Sequence, residues 1–157
     1  MDGKVTQGYG NTGFTSLGYD FHNGLDIAAA AGTPIYAPAD GTIVKCESDS
    51  TAYGNWCALK SNIKTKDGNK DVILLFGHMR SYKASTGQKM SLGDLIGYEG
   101  NTGTTTRLIY GPERGYHLHF TVFDADGFKI VAGAHPNIYG PYNIPNGYTY
   151  DPRNFLQ

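Results

Sequence analysis

Long apolar runs and an excess of either charge are both absent from the sequence. Its apolar stretches fall far short of the roughly 18 residues that a membrane-spanning helix requires. The formal net charge is −1, so the chain as a whole offers no electrostatic attraction for nucleic acid or for an anionic membrane surface. These two absences predict that the protein neither inserts into a membrane nor takes nucleic acid as a partner.

A helical pattern is also missing, because no 3.6-residue hydrophobic period persists long enough to predict a major helix. The composition instead combines 22 glycines and 12 tyrosines with many β-branched residues, which is typical of short strands joined by tight turns. A chain of 157 residues without an internal repeat is long enough for one hydrophobic core. The sequence therefore predicts a single all-β domain over residues 1–157, built on a small antiparallel sheet with little helix.

Cysteine is scarce, and no C-x-x-C spacing is present, which argues against a metal site made from the two cysteines. Cys46 and Cys57 flank a predicted hairpin formed by residues 41–46 and 55–60. A symmetric hairpin would set them opposite each other, where a disulfide is geometrically possible. The alternative, two free cysteines that serve as small core residues, stays open.

Among the residues that are present, two histidines stand two positions apart in a run of β-branched and aromatic residues. Because successive side chains of a strand point to opposite faces, His117 and His119 share one face. The other face carries Leu118, Phe120 and Val122, a pattern that predicts core. Two imidazoles side by side favour a zinc site, since neutral imidazole is the commonest nitrogen ligand of zinc. Surface histidines or hydrogen-bonded core histidines are the alternative.

A second pair of candidate ligands, His22 and Asp26, stands four positions apart. The intervening Gly24 and the prolines that follow make a helix unfavourable here. On an ideal strand the two Cα atoms would lie roughly 13 Å apart, which is the limit for two short side chains that bind one ion. We therefore expect the chain to bend before Asp26, at a glycine that permits unusual dihedral angles. Otherwise His22 is a surface histidine and Asp26 a turn residue.

His78 directly follows the most apolar segment, residues 71–76, and Gly77. We expect it at the end of a strand that feeds a loop, which is a common place for chemistry. The alternative is a half-exposed histidine that caps the strand.

Together these residues resemble the lysostaphin/LytM-type zinc metallopeptidases, which cut peptidoglycan cross-links. The motifs that carry the resemblance are His22-x-x-x-Asp26, Gly77-His78-Met79 and His117-Leu118-His119-Phe120. Further segments that look like blocks of that family occur in the same order along nearly the whole chain, at residues 21–28, 32–44, 93–97, 101–103 and 151–156. The resemblance implies a β-sheet domain with a substrate groove.

The resemblance also implies roles that the spacing alone leaves open. His22, Asp26 and His119 would hold one zinc ion, while His78 and His117 would line its open side. Three protein ligands leave a fourth position for water, as catalytic zinc sites require. One of the two remaining histidines would help to deprotonate that water, and the pair would stabilise the oxyanion and protonate the leaving amine.

The chain departs from the family pattern in the loop before His117. Residues 104–116 are longer than the family's equivalent segment, and Tyr116 occupies a position that is commonly proline. Because this loop would form a wall of the groove, the departure bears on substrate preference. Arg107 or Arg114 is expected to contact a carboxylate of the stem peptide, unless both are solvated loop residues. The full set of expected substrate-binding residues is Asn101, Thr102, Arg107, Arg114 and Tyr116.

The resemblance predicts a zinc-dependent endopeptidase that hydrolyses peptide bonds in peptidoglycan stem peptides or cross-bridges. A non-catalytic wall-binding or activator module of the same fold, or a zinc amidase that cleaves the sugar–peptide junction, are the alternatives. Such a substrate implies an extracellular, cell-wall or phage-virion location. The start of the chain lacks the apolar stretch of a secretory signal, so either the protein is cytoplasmic or the domain is excised from a longer protein. The extracellular substrate favours the second, and we expect the domain to be a monomer.

Overall fold

A computed structural model describes residues 3–9, 24–48, 53–65, 68–103, 105, 107–111, 113–127 and 149–154. The predicted ligand His22 falls outside these ranges. Among the described residues, no helix is long and apolar enough to cross a membrane.

Ten strands and three short helical turns make up the described part of the chain. In order they are β1 Lys4–Gln7, β2 Leu25–Ala28, β3 Pro34–Tyr36, β4 Gly41–Ser48, β5 Asn55–Thr65, β6 Gly68–Tyr82, β7 Lys89–Met90, β8 Leu95–Glu99, α1 Arg107–Tyr110, β9 Leu118–Asp124, a 3₁₀ turn at Ala125–Gly127, β10 Thr149–Tyr150 and a second 3₁₀ turn at Pro152–Asn154. The strands form one sheet in which every pairing is antiparallel. This architecture confirms the predicted all-β, antiparallel fold.

The sheet follows the order β1-β2-β9-β6-β5-β4-β7, while β10 pairs with β9, and β8 pairs with both β3 and β6. Its centre is β6, which is flanked by β5 and β9 and is buried without interruption from Val72 to Met79. A strand that is covered on both faces favours a continuous apolar run, and Val72 to Phe76 supply one. The predicted strand at residues 71–76 was therefore correct in type, but β6 extends to Tyr82.

Side chains along the central strands alternate between the two faces of the sheet, so the buried residues form one cluster on each face. One cluster contains Leu118, Phe120 and Val122, as predicted. The other contains Trp56, Leu75 and Phe123, on the face that also carries His119. The first cluster is the larger core, and the second supports the sheet beneath the candidate site.

The predicted hairpin is present as β4 and β5, and its register sets Cys46 directly opposite Cys57. A disulfide joins the two cysteines, 11 positions apart, with Cα atoms separated by 4.1 Å. The bond connects a strand near the sheet edge to the buried β5, where Cys57 is fully buried.

Reduction of this disulfide should lower the free energy of unfolding by about 3 kcal/mol. The bond restricts the unfolded chain, and its reduction gives that chain back the conformational entropy of a loop of this length. Urea unfolding with and without reductant measures the effect. A variant with both cysteines replaced by serine serves as the control, and its unfolding should not respond to reductant. Identical unfolding midpoints for the oxidised and reduced wild-type protein would contradict the prediction.

Candidate active site

The pairing of β2 with β9 brings the first two candidate residues together. Asp26 lies opposite His119 in the register, and its Oδ1 atom is 3.1 Å from His119 Nδ1. The same carboxylate oxygen lies 3.5 Å from His117 Nε2. Residues 93 positions apart in the chain therefore converge on one oxygen atom because two strands are neighbours in the sheet.

His117 is held by the main chain on both of its sides. Its backbone N–H donates to the Gly100 carbonyl at 3.1 Å, and its Nδ1 lies 2.8 Å from the Gly115 carbonyl oxygen. A carbonyl oxygen can only accept, so Nδ1 carries the proton in this contact. The lone pair of the neutral ring is then on Nε2, the atom that faces Asp26.

His78 also lies beside these residues, but it comes from β6. It lies inside β6, not at a strand end as the sequence suggested, because β6 continues for four residues beyond it. Gly77 and His78 together lie opposite Trp56 of β5, which makes a β-bulge, and His78 has a φ of 60°. Bulges beside active sites redirect side chains, and this one turns the imidazole toward the other two histidines. The ring centroids of His78 and His117 are 4.7 Å apart.

Two loops fix His78 in this uncommon left-handed conformation. Its N–H donates to the Tyr53 carbonyl at 2.6 Å, and its Nδ1 donates to the Thr102 carbonyl at 2.7 Å. The Thr102 hydroxyl in turn donates to the Met79 carbonyl at 2.8 Å. Gly54 lets these loops meet, because a Cβ there would lie 2.4 Å from the Thr102 backbone. Thr102, expected to bind substrate, is thus a residue that positions His78.

The electrostatics of His78 follow from its burial. Only 4% of its surface is exposed. Desolvation, with smaller contributions from His117 and His119, holds the pKa of His78 well below its usual value, against the opposing effect of Asp26. His78 is therefore a neutral imidazole at physiological pH. With its proton on Nδ1, it offers an Nε2 lone pair that can accept a proton.

The other predicted substrate-binding residues lie near the histidines with different roles. Asn101 donates from Nδ2 to the Arg114 carbonyl at 2.8 Å and so holds the segment that leads into β9. The hydroxyl of Tyr116 donates to Glu113 Oε2 at 3.0 Å, within the same loop. Arg114 is exposed, and the side chain of Arg107 lies outside the described atoms.

A cavity of about 230 Å³ adjoins the site on the side of β1 and β2. Its walls are formed by Thr6, Gln7, Asp26, Ala28, Gly115, Tyr116 and His117. β1 supplies a wall of this cavity, which the sequence did not predict, and the substrate groove itself stays a prediction.

Two further residues at the site were missed in the sequence. The ring of Tyr53 is buried with its centroid 5.1 Å from that of His119, and its carbonyl holds His78. Thr121 Oγ1 lies 2.6 Å from His119 Nε2. Strand alternation places Thr121 on the face of His119, so the pattern could have identified it. Tyr53 carries no such signal, because its position depends on where the β4–β5 hairpin packs.

The chemistry of these donors fits a zinc site, although the described residues do not complete one. No group of three histidine, cysteine, aspartate or glutamate side chains among them is arranged to hold a metal ion. Asp26 Oδ1 and His119 Nδ1 nevertheless face each other, and a carboxylate oxygen beside an imidazole nitrogen is a common zinc donor pair. The third predicted ligand, His22, stands two residues before Gly24, where the description of this segment begins.

Several curated proteins match part of this chain, among them enzymes that act on peptidoglycan. Peptidoglycan DD-endopeptidase ShyA of Vibrio cholerae is 34% identical over 99 residues, which cover 63% of this chain and 19% of ShyA. DD-carboxypeptidase/endopeptidase Mpg of Neisseria meningitidis is 30% identical over 99 residues, with coverages of 63% and 19%. The chain thus spans about a fifth of the length of the curated relatives it matches.

Solved structures and a family model agree with these relatives. The catalytic domain of the antimicrobial peptidase lysostaphin from Staphylococcus simulans superposes with a TM-score of 0.66 at 26% identity and covers 98% of this chain and 92% of that domain. A catalytic-domain mutant of the prophage-encoded M23 protein EnpA from Enterococcus faecalis gives 0.64 at 25% identity, with coverages of 96% and 89%. The model of peptidase family M23 matches residues 20–130, more than half of the chain. On this match, the chain belongs to peptidase family M23.

Proposed function

We propose that the protein is a zinc-dependent endopeptidase that hydrolyses peptide bonds in peptidoglycan. The observation that carries the proposal is the convergence of Asp26, His117 and His119 beside an open cavity, with His78 turned toward them by a bulge. An arrangement that only stabilised the sheet would not require three neighbouring imidazoles, one of which lines a cavity.

Zinc would be held by Asp26 through Oδ1, by His119 through Nδ1, and by His22. Once bound, zinc supplies a Lewis acid that lowers the pKa of a water molecule and polarises a peptide carbonyl. Asp26 brings the negative charge that partly neutralises the ion. The described donors come from two paired strands, so their positions are set by the sheet and not by a mobile loop.

His78 and His117 would handle the protons of the hydrolysis. Each has its Nδ1 proton bound to a main-chain carbonyl and leaves Nε2 to accept a proton from the attacking water. The protonated ring would then donate to the leaving amine and stabilise charge on the carbonyl oxygen. No covalent intermediate is required, because the attacking group is water.

The substrate class is supported by the relatives. ShyA is named a peptidoglycan DD-endopeptidase and Mpg a DD-carboxypeptidase/endopeptidase. A peptidoglycan substrate implies action outside the cytoplasm, at the cell wall. A phage-borne enzyme would act on the same substrate, and EnpA is prophage-encoded. Arg114, exposed beside the cavity wall formed by residues 115–117, is the candidate for a stem-peptide carboxylate.

Digestion of purified peptidoglycans with different cross-bridges, followed by mass analysis of the fragments, tests the proposal. The untreated enzyme should produce fragments with new amino termini. Chelator should abolish these fragments, and added zinc should restore them. A His117→Ala variant is the matched control for contaminating hydrolases. Release of intact peptides from the glycan would instead indicate an amidase. Stoichiometric zinc without any cleavage would indicate a wall-binding module and overturn the proposed activity.

A further inference from the structure

The imidazole of His119 is held between two polar groups. Its Nδ1 faces Asp26 Oδ1 at 3.1 Å, and its Nε2 lies 2.6 Å from the hydroxyl oxygen of Thr121. Thr121 is fully buried, with none of its surface exposed, and His119 is 5% exposed. Bulk water therefore cannot replace the threonine hydroxyl as the partner of Nε2.

We propose that Thr121 is a positioning residue that presents His119 Nδ1 to the metal. This inference rests on the zinc site of the proposed function. A ring nitrogen binds a metal through its lone pair, so the ring proton must then be on the other nitrogen. The Thr121 hydroxyl accepts the Nε2–H of that tautomer, whereas an apolar neighbour would remove this acceptor.

The Thr121 hydroxyl can pair with His119 Nε2 both in the metal-free and in the metal-bound site. In the absence of metal, Nδ1 can donate to the Asp26 carboxylate while the Thr121 O–H donates to Nε2. When the metal takes the Nδ1 lone pair, the same hydroxyl becomes an acceptor without moving. A hydroxyl has both capacities, while a lysine side chain has only donors and a carboxylate only acceptors.

Close packing against Gly24 fixes the place of the hydroxyl. A Cβ on Gly24 would lie 2.8 Å from Thr121 Oγ1 and 2.3 Å from the Phe120 carbonyl oxygen. The backbone just before β2 therefore passes close to Phe120 and Thr121 of the neighbouring strand β9. Gly24 lies at a bend, as expected, and this close approach also requires a glycine at that position.

Zinc affinity, measured by competition with a chelating dye, tests the inference with variants that change only the hydroxyl. Thr121→Val keeps the shape of the side chain and should weaken zinc binding by roughly 10- to 100-fold. Thr121→Ser keeps the hydroxyl and should restore most of the affinity. Thr149→Val is the matched control, because Thr149 is also a buried strand threonine with a hydrogen-bonded hydroxyl, yet it bonds Tyr9 and no histidine. It should leave zinc affinity unchanged.

A spectroscopic measurement separates this role from mere packing. In the zinc-loaded wild type and in Thr121→Ser, the Nε2 proton of His119 should give an NMR signal protected from exchange, which Thr121→Val should lose. Wild-type affinity in Thr121→Val, or equal losses in the valine and serine variants, would overturn the inference and leave the proposed function standing. A wild-type protein that binds no zinc would overturn both.

Discussion

The His117→Ala variant is expected to retain its zinc and to lose roughly 10²- to 10⁴-fold in kcat, the usual contribution of a positioned acid or base. His119→Ala, two residues away on the same face of the chain, is expected to lose the metal itself. The contrast matters because His117 Nε2 and His119 Nδ1 lie only 3.5 Å and 3.1 Å from the same oxygen of Asp26. Distance alone therefore gives either ring access to an ion at that carboxylate.

Their hydrogen bonds support the assignment of different roles. His119 has its Nε2 against a buried hydroxyl, an arrangement that supports a ligand. His117 is anchored to a main-chain carbonyl and adjoins the cavity, where a substrate would meet it. Zinc stoichiometry and steady-state kinetics on both variants, with circular dichroism as a control for folding, make the test. Loss of zinc in His117→Ala, with zinc retained in His119→Ala, would reverse the two roles.

The second large effect is expected on stability and comes from Glu99, at the end of β8. Its side chain is fully buried, Oε1 accepts the Ala29 N–H at 3.0 Å, and Oε2 has no hydrogen-bond partner among the described residues. Desolvation raises the pKa of Glu99 to about 7, against the opposing effect of the Ala29 hydrogen bond. Glu99 is therefore neutral in the folded protein below neutral pH, while in the unfolded chain it ionises near pH 4.5.

The sign of the pH dependence follows from this difference. Between pH 4.5 and 7 the folded state binds the proton more tightly, so the free energy of unfolding falls as pH rises. Glu99→Gln, which stays neutral, should match the wild type near pH 4 and exceed its unfolding free energy by about 3 kcal/mol at pH 8. Urea unfolding of both proteins at the two pH values measures the difference. Parallel stability curves would show that Glu99 is not the source of the pH dependence.

Much of the site could be predicted because it depends on local periodicity. Alternation along β9 is enough to put His117 and His119 on one face and Leu118, Phe120 and Val122 on the other, as the structure confirms. The family resemblance, carried by the same motifs, is also confirmed. The roles assigned to the individual histidines remain predictions for the variants above.

Other features depend on tertiary contacts that no local pattern carries. A single bulge in β6 determines where His78 points, and it is fixed by carbonyl groups from two loops distant in sequence. Glu99 gave no sign of burial, because an acidic residue in a short strand ordinarily faces solvent. Thr102 was predicted to bind substrate, which stays a prediction, while its observed contacts hold His78 and Met79.

The position of Asp26 near the margin of the sheet has a consequence for the motions of the chain. β1 and β2 form an outer antiparallel pair, and in the described part of the chain β2 pairs with β9 through Leu25, Asp26 and Ile27. A metal shared by Asp26 and His119 would act as a removable cross-link between this margin and the centre, over 93 positions of sequence. Depletion of zinc would therefore release the backbone amides of β2 to hydrogen exchange before those of β5 and β6, so that the metal would control local opening as well as chemistry.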